Sequence, residues 1–209
     1  MEAENGASGR YTWMTALMCV CLVASNLFEI KIFNAGALTL TGGFLIFPVS
    51  YIINDCLSEL YGYRKARFAI LLAFASNAFV VLSAQIVKVL PPAPFWDGQD
   101  HFAYVFDVNL RIAAASMLAF LCGSLLNSAV MVKMKKLQGG RGFGWRAVLS
   151  SLAGESADSL IFFPIAFFGV PLRNLVVMML TQIVLKTLYE IIILPVTSAF
   201  VRRAGKSNQ

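Results

Sequence analysis

Residues 43–67 read GFLIFPVSYIINDCLSELYGYRKAR, and this stretch decides the fold. From about Gly43 to Leu60 it is apolar enough to span a bilayer, yet it carries Asp55 and Glu59. These two are four residues apart, so on a helix they leave from one face. A charge at the centre of a bilayer costs about 2.5–3.5 kcal/mol even on the lenient insertion scale. Such groups therefore need a protected interior and partners there. The stretch ends in Arg64, Lys65 and Arg67, a basic close of the kind that stays on the cytoplasmic side.

Two further pairs repeat the pattern downstream, Glu155 with Asp158 and Lys186 with Glu190, each inside an apolar run. One reading is that the six groups pair with one another and hold a bundle together. The other is that they line a site. Composition supports a membrane setting: 58% of the 209 residues are hydrophobic and 13% charged, far from the make-up of a soluble domain. The +6 formal charge sits in short loops, which excludes nucleic acid as the expected partner and leaves the lipid bilayer. Cys19, Cys21, Cys56 and Cys122 fall in or beside apolar runs and read as packing residues. There is neither a metal-type Cys/His spacing nor a GxxxxGK[ST] loop, so no cofactor is expected and an enzyme is disfavoured. The first apolar run lacks a basic start and an A-x-A cleavage site and reads as a retained span.

Six spans are expected, at about 12–32, 43–60, 68–89, 110–132, 147–170 and 172–201, in one all-α membrane domain over residues 1–209. A Gly/Thr-rich link joins the first two. The 90–109 link carries Pro91, Pro92 and Pro94, the interfacial aromatics Trp96, Phe102 and Tyr104, and His101, read as a solvated loop residue. Ala115, Ala119 and Gly123, continued by Asn127, form a small-residue face suited to close helix packing, either within the chain or in a homodimer. Basic residues gather in alternate loops (Arg64, Lys65, Arg67; Lys133, Lys135, Lys136, Arg141, Arg146) and in the tail (Arg202, Arg203, Lys206). Both termini are thereby expected in the cytoplasm.

Orientation gives each charge a depth. At about 1.5 Å per residue, Asp55 lies about 18 Å from the outer end of its span, Asp158 about 16 Å from its inner end and Lys186 about 21 Å from its outer end. These three are expected to meet near the middle of the membrane, with Glu59 and Glu155 nearer the cytoplasm and Glu190 holding Lys186. One lysine cannot neutralise every carboxylate, and the surplus of acceptors suits a donor-rich ligand, a cation or protons. Phe47-Pro48-Val49-Ser50-Tyr51 and Phe163-Pro164-Ile165-Ala166-Phe167 resemble each other, which suggests two three-span halves, the second inverted.

The segment from Phe47 to Asp55, followed by Glu59-Leu60-Tyr61-Gly62-Tyr63-Arg64-Lys65-Ala66-Arg67, resembles the signature of the queuosine precursor transporter family, also described as vitamin-uptake transporters. The resemblance continues through Arg111 to Ser116, Ser156-Ala157-Asp158-Ser159, and Lys186 with Pro195. Where this chain has Asn127, the family often places an acidic residue. The resemblance implies an inner-membrane importer of a 7-deazaguanine, preQ0 or preQ1, for queuosine in tRNA. A guanine-like edge offers two adjacent N–H donors to one carboxylate, and a flat ring stacks on aromatics. The candidate substrate residues are Asp55, Asp158, Lys186, Asn26, Glu155, Phe47, Tyr51, Phe162 and Gln182. Glu59, Glu190 and Arg111 are charge-balancing or coupling candidates, and Glu29 is a further proton-carrier candidate. The alternative is a substrate-binding subunit for a vitamin-like molecule, energised by a separate ATPase.

Overall fold

In hydrocarbon every backbone N–H and C=O must find its partner within the chain, so apolar runs of this length become helices. The computed structural model describes residues 2–28, 31–35, 38–106, 110–139 and 142–206. Helix α1 (Glu2–Phe28) leads into strands β1 (Ile32–Ala35) and β2 (Leu38–Thr41), then α2 (Gly43–Lys88), α3 (Gln99–Phe106), α4 (Leu110–Leu137), α5 (Phe143–Ala166) and α6 (Leu172–Lys206). Among the described residues, five of these helices (α1, α2, α4, α5 and α6) are long and apolar enough to cross a membrane.

The fold is all-helical in class, as expected, with one short exception in a link. The first helix stops at Phe28 rather than Ile32, and the Gly/Thr-rich link pairs as an antiparallel hairpin with Ile32 opposite Thr41 and Ala35 opposite Leu38. Isoleucine, phenylalanine and threonine in that link favour the extended state. The 90–109 link is likewise not structureless, since α3 occupies its second half. Gln85 Nε2 donates to the Phe106 carbonyl at 2.7 Å and Gln99 Nε2 to that of Lys88 at 2.9 Å, tying α3 to the end of α2.

The expected second and third spans form one 46-residue helix broken at a single residue, Gly62, with φ 78° and ψ 170°. That conformation is essentially restricted to glycine. The contacts of α1 show that the chain reverses there. At one end of α1 the Tyr11 hydroxyl donates to the Lys65 carbonyl at 3.0 Å, and the Tyr11 ring meets Tyr61 edge-on at 5.3 Å. At the other end Phe28 lies against Gly42, while Leu27 and Val23 share a groove with Phe79 and Val80. Both arms of α2 thus run along α1 in opposite directions.

The molecule is inside-out relative to a soluble domain. Trp13, Phe79, Leu82 and Ile192 are exposed, whereas Ser50, Asn54, Ser124, Asn127, Ser128, Arg146 and Ser150 are buried. An apolar core of Met18, Leu22, Leu57, Ile70 and Phe120 joins α1, both arms of α2 and α4. The small-residue face of α4 is used internally: Ala115, Ala119 and Asn127 are buried, and Gly123 presses on Gly154 of α5. A Cβ on Gly123 would stand 2.7 Å from the Gly154 carbonyl oxygen, so the two backbones touch there as small residues permit. The two Phe-Pro segments do not occupy matching places. Pro48 is the sixth residue of α2 and Pro164 the third from the end of α5, so their resemblance does not relate equivalent helix positions.

Candidate functional site

Where α2, α4, α5 and α6 meet, the buried polar residues form three tiers about one helical turn apart. The tiers follow Tyr51, Asp55 and Glu59 along α2. They run in the opposite sense along α5, through Asp158 and Glu155, then Ser151 and Ser150, then Arg146. Helix α6 contributes Lys186 to the first tier and Glu190 to the second.

In the first tier Lys186 Nζ lies 3.6 Å from Asp158 Oδ2 and 3.9 Å from Glu155 Oε2. All three side chains are buried, with Lys186 and Asp158 6% exposed and Glu155 2%. The ammonium also sits over the Phe47 ring, 4.3 Å from its centroid, where the negative face of the π-system attracts it. Phe47 packs on Tyr51 at 5.6 Å and Phe120 at 6.4 Å. Both ion-pair distances exceed the roughly 2.7–2.9 Å of a tight charge-assisted hydrogen bond, so the lysine is shared loosely between the carboxylates. One cation facing two carboxylates leaves surplus acceptor capacity in a buried setting. Ser159 Oγ and Glu155 Oε2, both buried, make no hydrogen bond among the described residues. The buried Tyr51 hydroxyl faces Ser124 without a well-formed hydrogen bond. Buried polar atoms of this kind are exceptional in folded proteins and mark places where another polar group belongs.

The second tier centres on Asp55, 1% exposed. Asn127 Nδ2 donates to its Oδ1 at 2.9 Å, Ser150 Oγ to Oδ1 at 3.3 Å and Ser151 Oγ to Oδ2 at 3.3 Å. Glu190 reaches from α6 toward Asp55 and Ser151, and its buried Oε1 makes no hydrogen bond among the described residues. In the third tier Glu59 Oε1 accepts from Arg146 Nη2 at 2.8 Å and lies 3.2 Å from Lys135 Nζ. Lys135 also donates to the Glu59 carbonyl oxygen. Arg146, 0% exposed, fixes the first turns of α5 to α2.

Several sequence-based expectations change here. Asp55, Asp158 and Lys186 do not form one set: Lys186 joins Asp158 and Glu155, while Asp55 joins Glu190. Glu190 does not hold Lys186, although they are one turn apart, because α5 offers Lys186 two carboxylates and α2 offers Glu190 Asp55. Glu59 is bound up in a structural clamp. Asn26 lies apart from the tiers, donating to the Leu22 carbonyl at 3.2 Å and accepting from Ser116 Oγ at 3.2 Å. Phe162, half-buried, follows Asp158 by four residues and meets Phe163 edge-on at 5.4 Å. Gln182, also half-buried, lies one turn before Lys186. Glu29 and the side chain of Arg111 lie outside the described residues. Arg146, Ser150, Ser151 and Asn127 are not singled out as site residues by the sequence reading. Their signal is a polar face on α5, Arg146–Ser150–Ser151–Glu155–Asp158, at helical spacing.

An apolar exterior around a buried, unevenly charged seam defines a multi-pass membrane protein with polar groups held inside its bundle. The chain belongs to the family described as "Putative vitamin uptake transporter", whose model matches residues 41–200. That family comprises transporters, not enzymes. The chain is 27% identical over 166 residues to the probable queuosine precursor transporter of Bacillus subtilis, covering 79% of this chain and 71% of that one. The probable queuosine precursor transporter of Haemophilus influenzae is 27% identical over 169 residues, covering 75% and 69%. The queuosine precursor transporter of Escherichia coli is 28% identical over 160 residues, covering 76% and 69%. No solved structure matches the chain significantly.

Proposed function

We propose that this protein imports queuosine precursors, the 7-deazaguanines preQ0 and preQ1, across the cytoplasmic membrane, with six crossings and both termini in the cytoplasm. The crossing number is supported by α2, which has 46 residues. At about 1.5 Å of rise per residue that helix extends to roughly 69 Å, more than twice a hydrocarbon core of about 30 Å. A reversal at Gly62 makes that length two crossings. The basic residues Arg64, Lys65 and Arg67 follow this reversal and support a cytoplasmic position for it.

The observation that carries the substrate reading is Lys186 shared between Asp158 and Glu155 beneath Phe47. A carboxylate that Lys186 does not fully satisfy accepts the two adjacent N–H donors of a guanine-like edge. The ammonium donates to the ring carbonyl oxygen, and Phe47 and Tyr51 flank the flat bicycle. The second carboxylate has a further use with preQ1, whose aminomethyl group is a cation. Alternating access then carries the bound precursor between faces.

The test is queuosine content of tRNA in cells that depend on external precursor. The wild-type chain should restore it and Asp158→Asn should not. Equal rescue by both removes Asp158 from the mechanism, and a correctly inserted wild type that gives no rescue removes the substrate. Uptake by liposomes containing this protein alone would exclude a required ATPase partner.

A further inference from the structure

We propose that Asp55 and Glu190 form a shared-proton site that couples substrate movement to proton movement. This rests on the transport reading above but concerns the second tier, which the substrate does not need. An ionised carboxylate only accepts hydrogen bonds, so two carboxyl groups in hydrogen-bond contact hold a proton between them. Asp55 and Glu190, 1% and 5% exposed, face each other from α2 and α6 and act on one another, and the buried Glu190 Oε1 makes no hydrogen bond among the described residues. Every hydrogen-bond partner of Asp55 among the described residues is neutral: Asn127, Ser150 and Ser151. Among the described residues no ion pair reaches Asp55 or Glu190; the cations nearby are committed elsewhere, Lys186 to Glu155 and Asp158, Arg146 and Lys135 to Glu59.

Helix α5 presents Glu155, on which the charge of Glu190 acts, and α6 presents Lys186 one turn away. On α2 itself stand Glu59, Cys56 and Tyr51, and α4 contributes the neutral Asn127. Helix α1 has no charged residue from Tyr11 to Phe28. A proton is therefore what keeps this pair together. Its loss leaves two adjacent anions on α2 and α6, which repel across the low-dielectric seam. The same two helices carry Phe47, Tyr51 and Lys186 of the first tier. Separation of α2 from α6 thus opens the substrate tier and the proton tier in one movement. The stoichiometry that follows is one proton carried inward with each precursor molecule and released to the cytoplasm.

The test uses the full chain in liposomes, with radiolabelled preQ0 as probe and the membrane potential held at zero. An inward proton gradient of one pH unit should drive about tenfold accumulation for one proton per neutral substrate. A protonophore should abolish it. Glu190→Gln should keep preQ0 exchange between the two sides while losing gradient-driven accumulation. Wild-type accumulation that ignores the gradient, or gradient-driven accumulation retained by Glu190→Gln, overturns the proposal. A second readout needs no substrate: the infrared spectrum of purified protein at neutral pH should contain a carboxylic-acid C=O band that disappears in Asp55→Asn and in Glu190→Gln. A wild-type spectrum lacking that band overturns the shared proton outright. Failure of preQ0 to bind, with the band present, counts against the substrate alone.

Discussion

Replacing Arg146 by glutamine should destabilise the fold by about 3 kcal/mol. Arg146 is fully buried and its Nη2 is 2.8 Å from Glu59 Oε1. Removing one partner of a buried ion pair costs about 3–5 kcal/mol, because the surviving charge is left in a poor solvent. Glu59 retains Lys135 at 3.2 Å, but that side chain is 39% exposed. A pair of that exposure offsets only about 0–1 kcal/mol, which sets the value at the lower end of the range. Glu59→Gln should likewise cost about 3–5 kcal/mol, since it removes the carboxylate that the buried Arg146 and Lys135 share. The double variant strands neither charge against the other, and its cost should fall short of the sum by about 2 kcal/mol. Reversible unfolding of purified protein in mixed micelles reads all three free energies. A change below about 1 kcal/mol for Arg146→Gln, or strict additivity in the double variant, would refute the clamp.

Other expectations follow from single contacts. Gly62→Ala should cost about 1–3 kcal/mol from backbone strain alone. The φ of 78° is unfavourable there and no atom stands within 4 Å of the added methyl, so folded yield checks the strain by itself. Gly154→Ala should be worse, since its Cβ would stand 2.8 Å from both the Gly123 carbonyl oxygen and Asn127 Cβ. Overpacking of that kind should lower thermal stability in detergent, and an unchanged melting temperature would show that α4 and α5 are not in contact there. Asn127→Leu removes a donor 2.9 Å from Asp55 Oδ1. It should destabilise the protein to unfolding by about 1.5–3 kcal/mol while preQ0 binding at the first tier persists. Lys186→Met should weaken 7-deazaguanine binding by about 30-fold or more in an equilibrium assay, the roughly 2–5 kcal/mol expected when one member of a buried charge set is lost.

The spans are legible because apolar runs and basic loops are local properties of the chain. So is the bend between residues 60 and 68, although the expected spans leave seven residues between them where one glycine suffices. The hairpin after Phe28 is not, because glycine and threonine in a short link fit both loop and strand. Which charges meet is hidden for a different reason. Lys186 and Glu190 leave one face of α6, so spacing alone makes them partners. The neighbours they face are decided by how α2 and α5 pack on that helix, a tertiary fact fixed in part by Gly123 meeting Gly154. Arg146 disappears into the count of loop charges, and serines in an apolar run carry little signal one at a time, yet together they mark the polar face of α5.

The most direct test of the central assignment is equilibrium binding to the purified protein. PreQ0 and preQ1 should bind the wild type, and hypoxanthine, which lacks the exocyclic amino donor, should compete at least about 100-fold less well, as expected where a site built for a donor leaves its acceptor unpaired. Asp158→Asn should erase that preference. Equal competition by hypoxanthine, or an Asp158→Asn protein that binds preQ0 as the wild type does, would contradict the reading of the Lys186 tier as the site that recognises the base edge.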